Sequence, residues 1–115
     1  MKDDGLYLEH MLERCRRIGR FLHGGRARFF ENEETQDAVI RNIEVIGEAA
    51  KRVSAETRAR KPDLEWKRIA GMRDVLIHNY IGVDLNEVWM AATHDIPELE
   101  NALVELLDRR GEGER

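Results

Sequence analysis

Apolar residues recur along this chain at steps of three and four, the pattern of helices that bury one face. Leu8, Met11, Leu12, Cys15, Ile18 and Leu22 predict an amphipathic helix over about residues 5–22, which Gly24-Gly25 should end. Asn32 is placed to cap the next helix, whose acidic start at Glu33 and Glu34 suits the positive end of a helix dipole. Val39, Ile43, Ile46, Ala50 and Val53 carry that helix to about residue 53, with Gly47 on its surface where a neighbouring helix can come close.

Ser54 predicts a short capped helix to Arg60, stopped at Lys61-Pro62 because the residue before a proline is driven out of helical geometry. A further helix is expected from Asp63 through Trp66, Ile69 and Ala70 to about Ile77. Asp84 with Glu87 resembles a capping box for a last helix with core positions Leu85, Val88, Ala92, Ile96, Leu99, Leu103 and Leu106. Pro97 should kink it after Thr93. No stretch alternates as strands do. The prediction is an all-α, antiparallel bundle of four to five helices with a kinked last helix, one domain over residues 1–115, frayed over 110–115.

Charge sharpens this picture by segment. The net charge of −4 argues against a general nucleic-acid binder, yet residues 14–30 carry +6 and residues 51–73 carry +5. Arg17, Arg20, Arg26 and Arg28 in the first block are candidate phosphate contacts, because clustered cations on an acidic chain steer a polyanion to one face. A solvated helix face is the plainer account of either block. A lone cysteine, Cys15, cannot form an internal bridge; it lies on an apolar stripe and reads as core rather than nucleophile. With no apolar run of membrane-spanning length and an acidic MKDDG start, the expected setting is the reducing cytoplasm, with no membrane contact. His10, His23 and His94 lack metal-ligand spacing, so no metal site is expected. Trp66 and Trp89 read as packing anchors, and Glu48 and Lys51, an i, i+3 step apart, as a surface pair.

Candidate chemistry gathers in Arg73–Tyr80. Asp74 and His78 share a helical face, so Asp74 can fix the imidazole tautomer and raise its basicity. Arg73 can bind a phosphate with its planar fork. His78, with a pKa near neutrality, can take a proton from a ribose 2′-hydroxyl or give one to a departing 5′-oxygen. On a straight helix positions 73 and 78 point about 140° apart. They meet on one substrate only if the helix end distorts or a second chain completes the site.

The run Arg41-Asn42-Ile43-Glu44-Val45-Ile46-Gly47-Glu48-Ala49-Ala50-Lys51-Arg52-Val53-Ser54 resembles the long-helix signature of HepT-like proteins, the toxins of HEPN–MNT toxin–antitoxin pairs. The likeness continues through Pro62, Trp66, Ile69–Arg73, Leu76–Tyr80, Gly82–Asp84 and Val88-Trp89, and covers roughly residues 5–107. It implies a HEPN bundle, dimeric around paired Arg-x4-His-x-Tyr motifs, and a metal-independent endoribonuclease acting on RNA, with tRNA favoured. The motif falls on Arg73, His78 and Tyr80 as catalytic arginine, catalytic histidine and modified tyrosine, with Asp74 and Asn79 in support. Asp74 stands where asparagine is frequent, and its charge beside Arg73 is expected to weaken phosphate affinity. Asn79 stands where aspartate is common. The resemblance also implies a cognate MNT-type nucleotidyltransferase antitoxin that spends ATP with Mg²⁺ to place AMP on Tyr80, the chain itself carrying no cofactor. A catalytically silent helical module that holds such a partner, or a nucleotide-binding regulator, is the alternative.

Overall fold

The computed structural model describes the backbone of residues 4–78 and 84–113, and the side chains of these except at 73, 75–78 and 109–113. Its elements are α1 (Asp4–Phe21), α2 (Gly25–Glu31), α3 (Glu33–Ala50), α4 (Ala55–Ala59), α5 (Trp66–His78), α6 (Leu85–Met90) and α7 (Ile96–Gly113). Among the described residues every regular element is helical, and four long helical runs form the bundle: α1, α3, α5, and α6 continued into α7.

The predicted stripe of α1 is the buried one: Leu8, Met11, Leu12, Cys15 and Ile18 all face inward. They meet Val39, Ile43, Ile46 and Ala50 of α3, which packs against α1 on one side and α5 on the other. Tyr7 and His10 share a groove with Glu44, Glu48 and Arg52, and Arg14 Nη1 donates to Asn42 Oδ1 at 3.2 Å. Residues early in α1 thus lie beside residues late in α3, so these helices run antiparallel. Leu99, Leu103 and Leu106 of α7 close the core, with α7 packed along α1. Gly47, on the side of α3, is buried, as a position open to a neighbouring helix should be.

Polar side chains fix the helix ends. Asn32 Oδ1 accepts from Thr35 N at 2.7 Å, as its cap position predicts, an interaction that stabilises a helix by about 1 kcal/mol. Ser54 caps α4 through Thr57 N, and Asp84 caps α6 through Asn86 N. Asp4, buried at the start of α1, accepts from Ser54 Oγ at 2.5 Å and Thr57 Oγ1 at 2.6 Å, which ties the first helix to the fourth.

Several boundaries differ from the sequence expectation. Gly24-Gly25 does end α1, but Gly25, at φ +91°, opens a further helix, α2, instead of a plain connection to Asn32. Tertiary packing explains it: Phe29 is fully buried, edge-on to Phe30 at 5.1 Å and against Trp89 of α6 at 5.4 Å. Gln36 Nε2 donates to the Phe29 and Phe30 carbonyls, binding α2 to α3. Helix α3 closes at Ala50 rather than near 53, where Arg52 N and Val53 N turn back onto the Ala49 and Ala50 carbonyls. Helix α5 starts at Trp66 rather than Asp63, after a turn in which Leu64 N bonds the Lys61 carbonyl and Trp66 Nε1 donates to that same carbonyl at 3.1 Å. The break expected ahead of Pro97 takes the form of a π turn over Ala91–Asp95, where the proline has no N–H to offer the Thr93 carbonyl.

Candidate active site

Helix α5 is regular from Trp66 to His78, so Arg73, Asp74 and His78 occupy one unbroken helix, His78 as its last residue. Ile69 and Met72 are buried and dock α5 into the core, while Asp74 is half exposed on another side. The side chains of Arg73 and His78, and all of Asn79 and Tyr80, lie outside the described residues.

Asp74 has a neighbour that sequence reasoning misassigned. Lys51, the cap residue of α3, places Nζ 3.5 Å from Asp74 Oδ1 rather than pairing with Glu48. Glu48 instead lies 3.9 Å from Arg52 Nη2. The i, i+3 step to Glu48 gave Lys51 an easy local partner, and nothing in the sequence signalled the cross-helix one.

The basic blocks behave differently from each other. In the second, Arg58 donates to the Ala50 carbonyl at 2.7 Å and lies over the Trp66 ring, and Arg60 donates to the Leu106 carbonyl. Lys61 pairs with Glu105 at 2.9 Å and Arg68 with Asp95 at 3.1 Å. That block mostly fastens α4 and α5 to the rest of the bundle. In the first block, Arg14 is bonded to Asn42, Arg16 pairs with Glu100, and Arg17 with Glu13 at 3.3 Å. Arg20, Arg26 and Arg28 are exposed at the α1–α2 corner, with the Arg26 guanidinium 4.6 Å above the Phe30 ring. Trp89 packs on Phe29 and Phe30 and so holds this corner against α6, the first described element after the motif segment.

Cys15 is buried, and its thiol is pushed up to about 12 by burial and then by the nearby Glu100 carboxylate, so it is an inert core residue. His10, His23 and His94 are all exposed, and among the described residues no three His, Cys, Asp or Glu side chains converge on a metal-sized site. Trp66 is buried and Trp89 half-buried, both in packing roles. Among the described residues no helix is long and apolar enough to cross a membrane.

An all-α bundle of the HEPN type defines the class of protein. This chain belongs to the HepT-like ribonuclease family, described as "Ribonuclease HepT-like", whose sequence profile matches residues 11–106. It is 38% identical over 110 residues to a "Putative RNase" of Caldanaerobacter subterraneus subsp. tengcongensis, covering 95% of this chain and 98% of that one. It is 40% identical over 108 residues to a "Gamma-glutamylcyclotransferase and putative RNase" of Methanocaldococcus jannaschii, covering 93% of this chain. The chain spans about half, 49%, of that longer relative. A "Probable ribonuclease HepT" of Thermococcus cleftensis is 41% identical over 78 residues, 68% of this chain and 71% of its own. No solved structure matches the chain.

Proposed function

We propose that this protein is an endoribonuclease, the toxin of a toxin–antitoxin pair, which cleaves RNA at a composite site formed by two copies of α5. The observation that carries the reading is the unbroken helix from Trp66 to His78 in a chain of the HepT-like ribonuclease family. The regular backbone of α5 through His78 sets positions 73 and 78 on different sides of the helix, which supports a second chain as the way to surround one phosphate.

The chemistry needs a base, an acid and a cation. One His78 takes the proton of a ribose 2′-hydroxyl as that oxygen attacks the adjacent phosphorus. The His78 of the other copy protonates the departing 5′-oxygen, which leaves a 2′,3′-cyclic phosphate and a free 5′-hydroxyl. Arg73 neutralises charge that builds on the phosphorane oxygens. The adjacent hydroxyl is the nucleophile, so the reaction calls for no metal and no cofactor in this chain. Asp74 and Asn79 orient the imidazole, and tRNA is the favoured substrate class.

Control follows from the same charges. A nucleotidyltransferase partner using ATP and Mg²⁺ joins AMP to the Tyr80 oxygen with release of pyrophosphate. The added phosphate, two residues from His78, takes the place of the substrate's own. The deciding experiment incubates purified protein with end-labelled tRNA, with and without chelator. Cleavage that persists in chelator and disappears in His78→Ala, with helical content kept, supports the reading. A parent protein silent under both conditions leaves only a binding module.

A further inference from the structure

We propose that the groove between α5 and α6 is a nucleobase subsite that takes a guanine of the RNA, Glu87 reading its N1–H and N2 amino donors and Arg68 its O6 and N7 acceptors. The inference rests on the ribonuclease reading of α5 and adds to it a preference for one base beside the cut.

The groove has the size and lining of a site for a flat ring. It encloses about 420 Å³, within the roughly 300–1,000 Å³ of small-molecule sites. Ile43, fully buried, lines it from α3, while Met72 of α5 and Met90 of α6 contribute thioethers, which favour contact with aromatic rings. Met90 is 53% exposed, so apolar surface stands open to a ligand there. Ala91 and Asp95, the two ends of the π turn, also line the groove, and turns of this kind recur at functional sites. Its place on α5 ties it to the chemistry. Met72 immediately precedes Arg73, and Arg68 lies five residues before it, about 8 Å along the helix. A base that enters the groove belongs to a nucleotide at or next to the phosphate that Arg73 meets.

Polar groups at the groove select the ring. Arg68 Nη2 donates to Asp95 Oδ2 at 3.1 Å, which holds the guanidinium in place and leaves it further N–H donors. Glu87 is exposed, and among the described residues nothing pairs with its carboxylate. The carboxylates of Glu87 and Asp95 outnumber the one guanidinium, so the groove repels a phosphate and admits a neutral ring with donors on its edge. Single-stranded RNA can splay out such a ring and present its hydrogen-bonding edges. Guanine alone among the four bases offers a carboxylate two adjacent donors, N1–H and the N2 amino group. Its O6 and N7 are the acceptors that an arginine fork fits. Adenine and cytosine set an acceptor nitrogen beside their amino group, and uracil sets carbonyls on both sides of its one donor. Each of these turns a lone pair towards Glu87.

The test separates base recognition from cleavage. Short single strands with 2′-deoxy sugars, which lack the attacking hydroxyl, carry guanine, inosine or adenine at one position of a uracil background, and fluorescence anisotropy reads their Kd. The parent should bind the guanine strand about tenfold or more tighter than the adenine strand. Inosine, which lacks only the N2 amino group, should fall between them. Glu87→Gln keeps the shape but turns an amide N–H towards the guanine donors. The preference should then collapse to about twofold or less, with binding of the adenine strand kept. A disturbed fold would weaken both strands alike. Arg68→Ala probes the other edge: it should bind guanine and 7-deazaguanine strands equally, where the parent favours guanine. Equal binding of guanine and adenine strands by the parent, or a preference that survives Glu87→Gln, would overturn the subsite. Ribose strands of the same sequences read the nuclease in parallel. Cleavage with no base preference would remove the subsite and keep the nuclease, whereas guanine-selective binding without cleavage would keep the subsite and remove the nuclease reading.

Discussion

The Lys51 ammonium at the end of α3 stands 3.5 Å from the Asp74 carboxylate on α5, a contact that spans two helices and the α4 segment between them. Asp74 follows Arg73 directly in sequence, where its charge was expected to weaken phosphate binding. Lys51 supplies the opposite charge at close range. The carboxylate is thereby offset, without a change of residue at position 74, by a group from another helix.

This pairing predicts an asymmetric pair of phenotypes. Lys51→Ala should raise KM for RNA about two- to five-fold with little change in kcat, the scale of a half-exposed ion pair. Adding Asp74→Asn to that variant should return KM towards the parent value, because no carboxylate is left to offset. Steady-state cleavage at two ionic strengths reads both effects. A double variant as impaired as the single one would show that Lys51 touches the RNA itself, and would end the compensation argument.

A second prediction concerns the junction of α1 and α4. Asp4 accepts hydrogen bonds from the hydroxyls of Ser54 and Thr57, and Thr57 is buried with it. Asp4→Ala strands those hydroxyls and should cost about 1–3 kcal/mol. Urea unfolding should show a lower midpoint at unchanged slope. Ser54→Ala removes the α4 cap together with one of these bonds and should cost at least as much as the roughly 1 kcal/mol of an ordinary cap.

Cys15 predicts a pH effect on the alkaline side. In the folded chain burial holds the thiol protonated to about 12, whereas an unfolded thiol ionises near 9.0. Above pH 9 the unfolded state releases a proton that the folded state keeps, so stability falls as pH rises towards 12. The slope from this one group is about 1.4 kcal/mol per pH unit, and it contributes none below pH 9. Cys15→Ala should flatten the alkaline decline in denaturant midpoint, whatever its fixed cost in packing. The thiol should also resist alkylation at pH 8 until the chain is unfolded; a slope unchanged by the substitution would refute the account.

How far the sequence could be read followed the range of the interactions involved. The stripe Leu8–Met11–Cys15–Ile18 and the caps at Asn32, Ser54 and Asp84 are set by residues a few positions apart, and all were legible. Helix α2 was not, because seven residues hold only one buried side chain, Phe29, whose partner Trp89 lies far along the chain. The same reason hid the fate of the 51–73 cations. Arg60, Lys61 and Arg68 find the Leu106 carbonyl, Glu105 and Asp95 on the last helical run, and no local pattern announces those acceptors. At the site itself, the placement of positions 73 and 78 on one helix was legible from periodicity, while Lys51 beside Asp74 depended on how α3 and α5 pack.

The first basic block gives the last prediction, in which the structure divides residues that the sequence had grouped. Arg17 is already engaged by Glu13 at 3.3 Å, whereas Arg20, Arg26 and Arg28 stand exposed where α1 meets α2. Arg26 is also propped over the Phe30 ring, which limits its freedom and lowers the entropy lost on meeting a phosphate. Arg26→Ala and Arg28→Ala should each weaken RNA binding and reduce the salt dependence, log K against log salt, by about 0.7 for a single-stranded contact. Arg17→Ala should change that slope less, since its charge is already partly balanced. Measured on an uncleavable RNA carrying 2′-deoxy at the cut position, the comparison is free of turnover. Equal slopes for the parent and all three variants would take the α1–α2 corner out of the RNA path and leave recognition to the groups around α5.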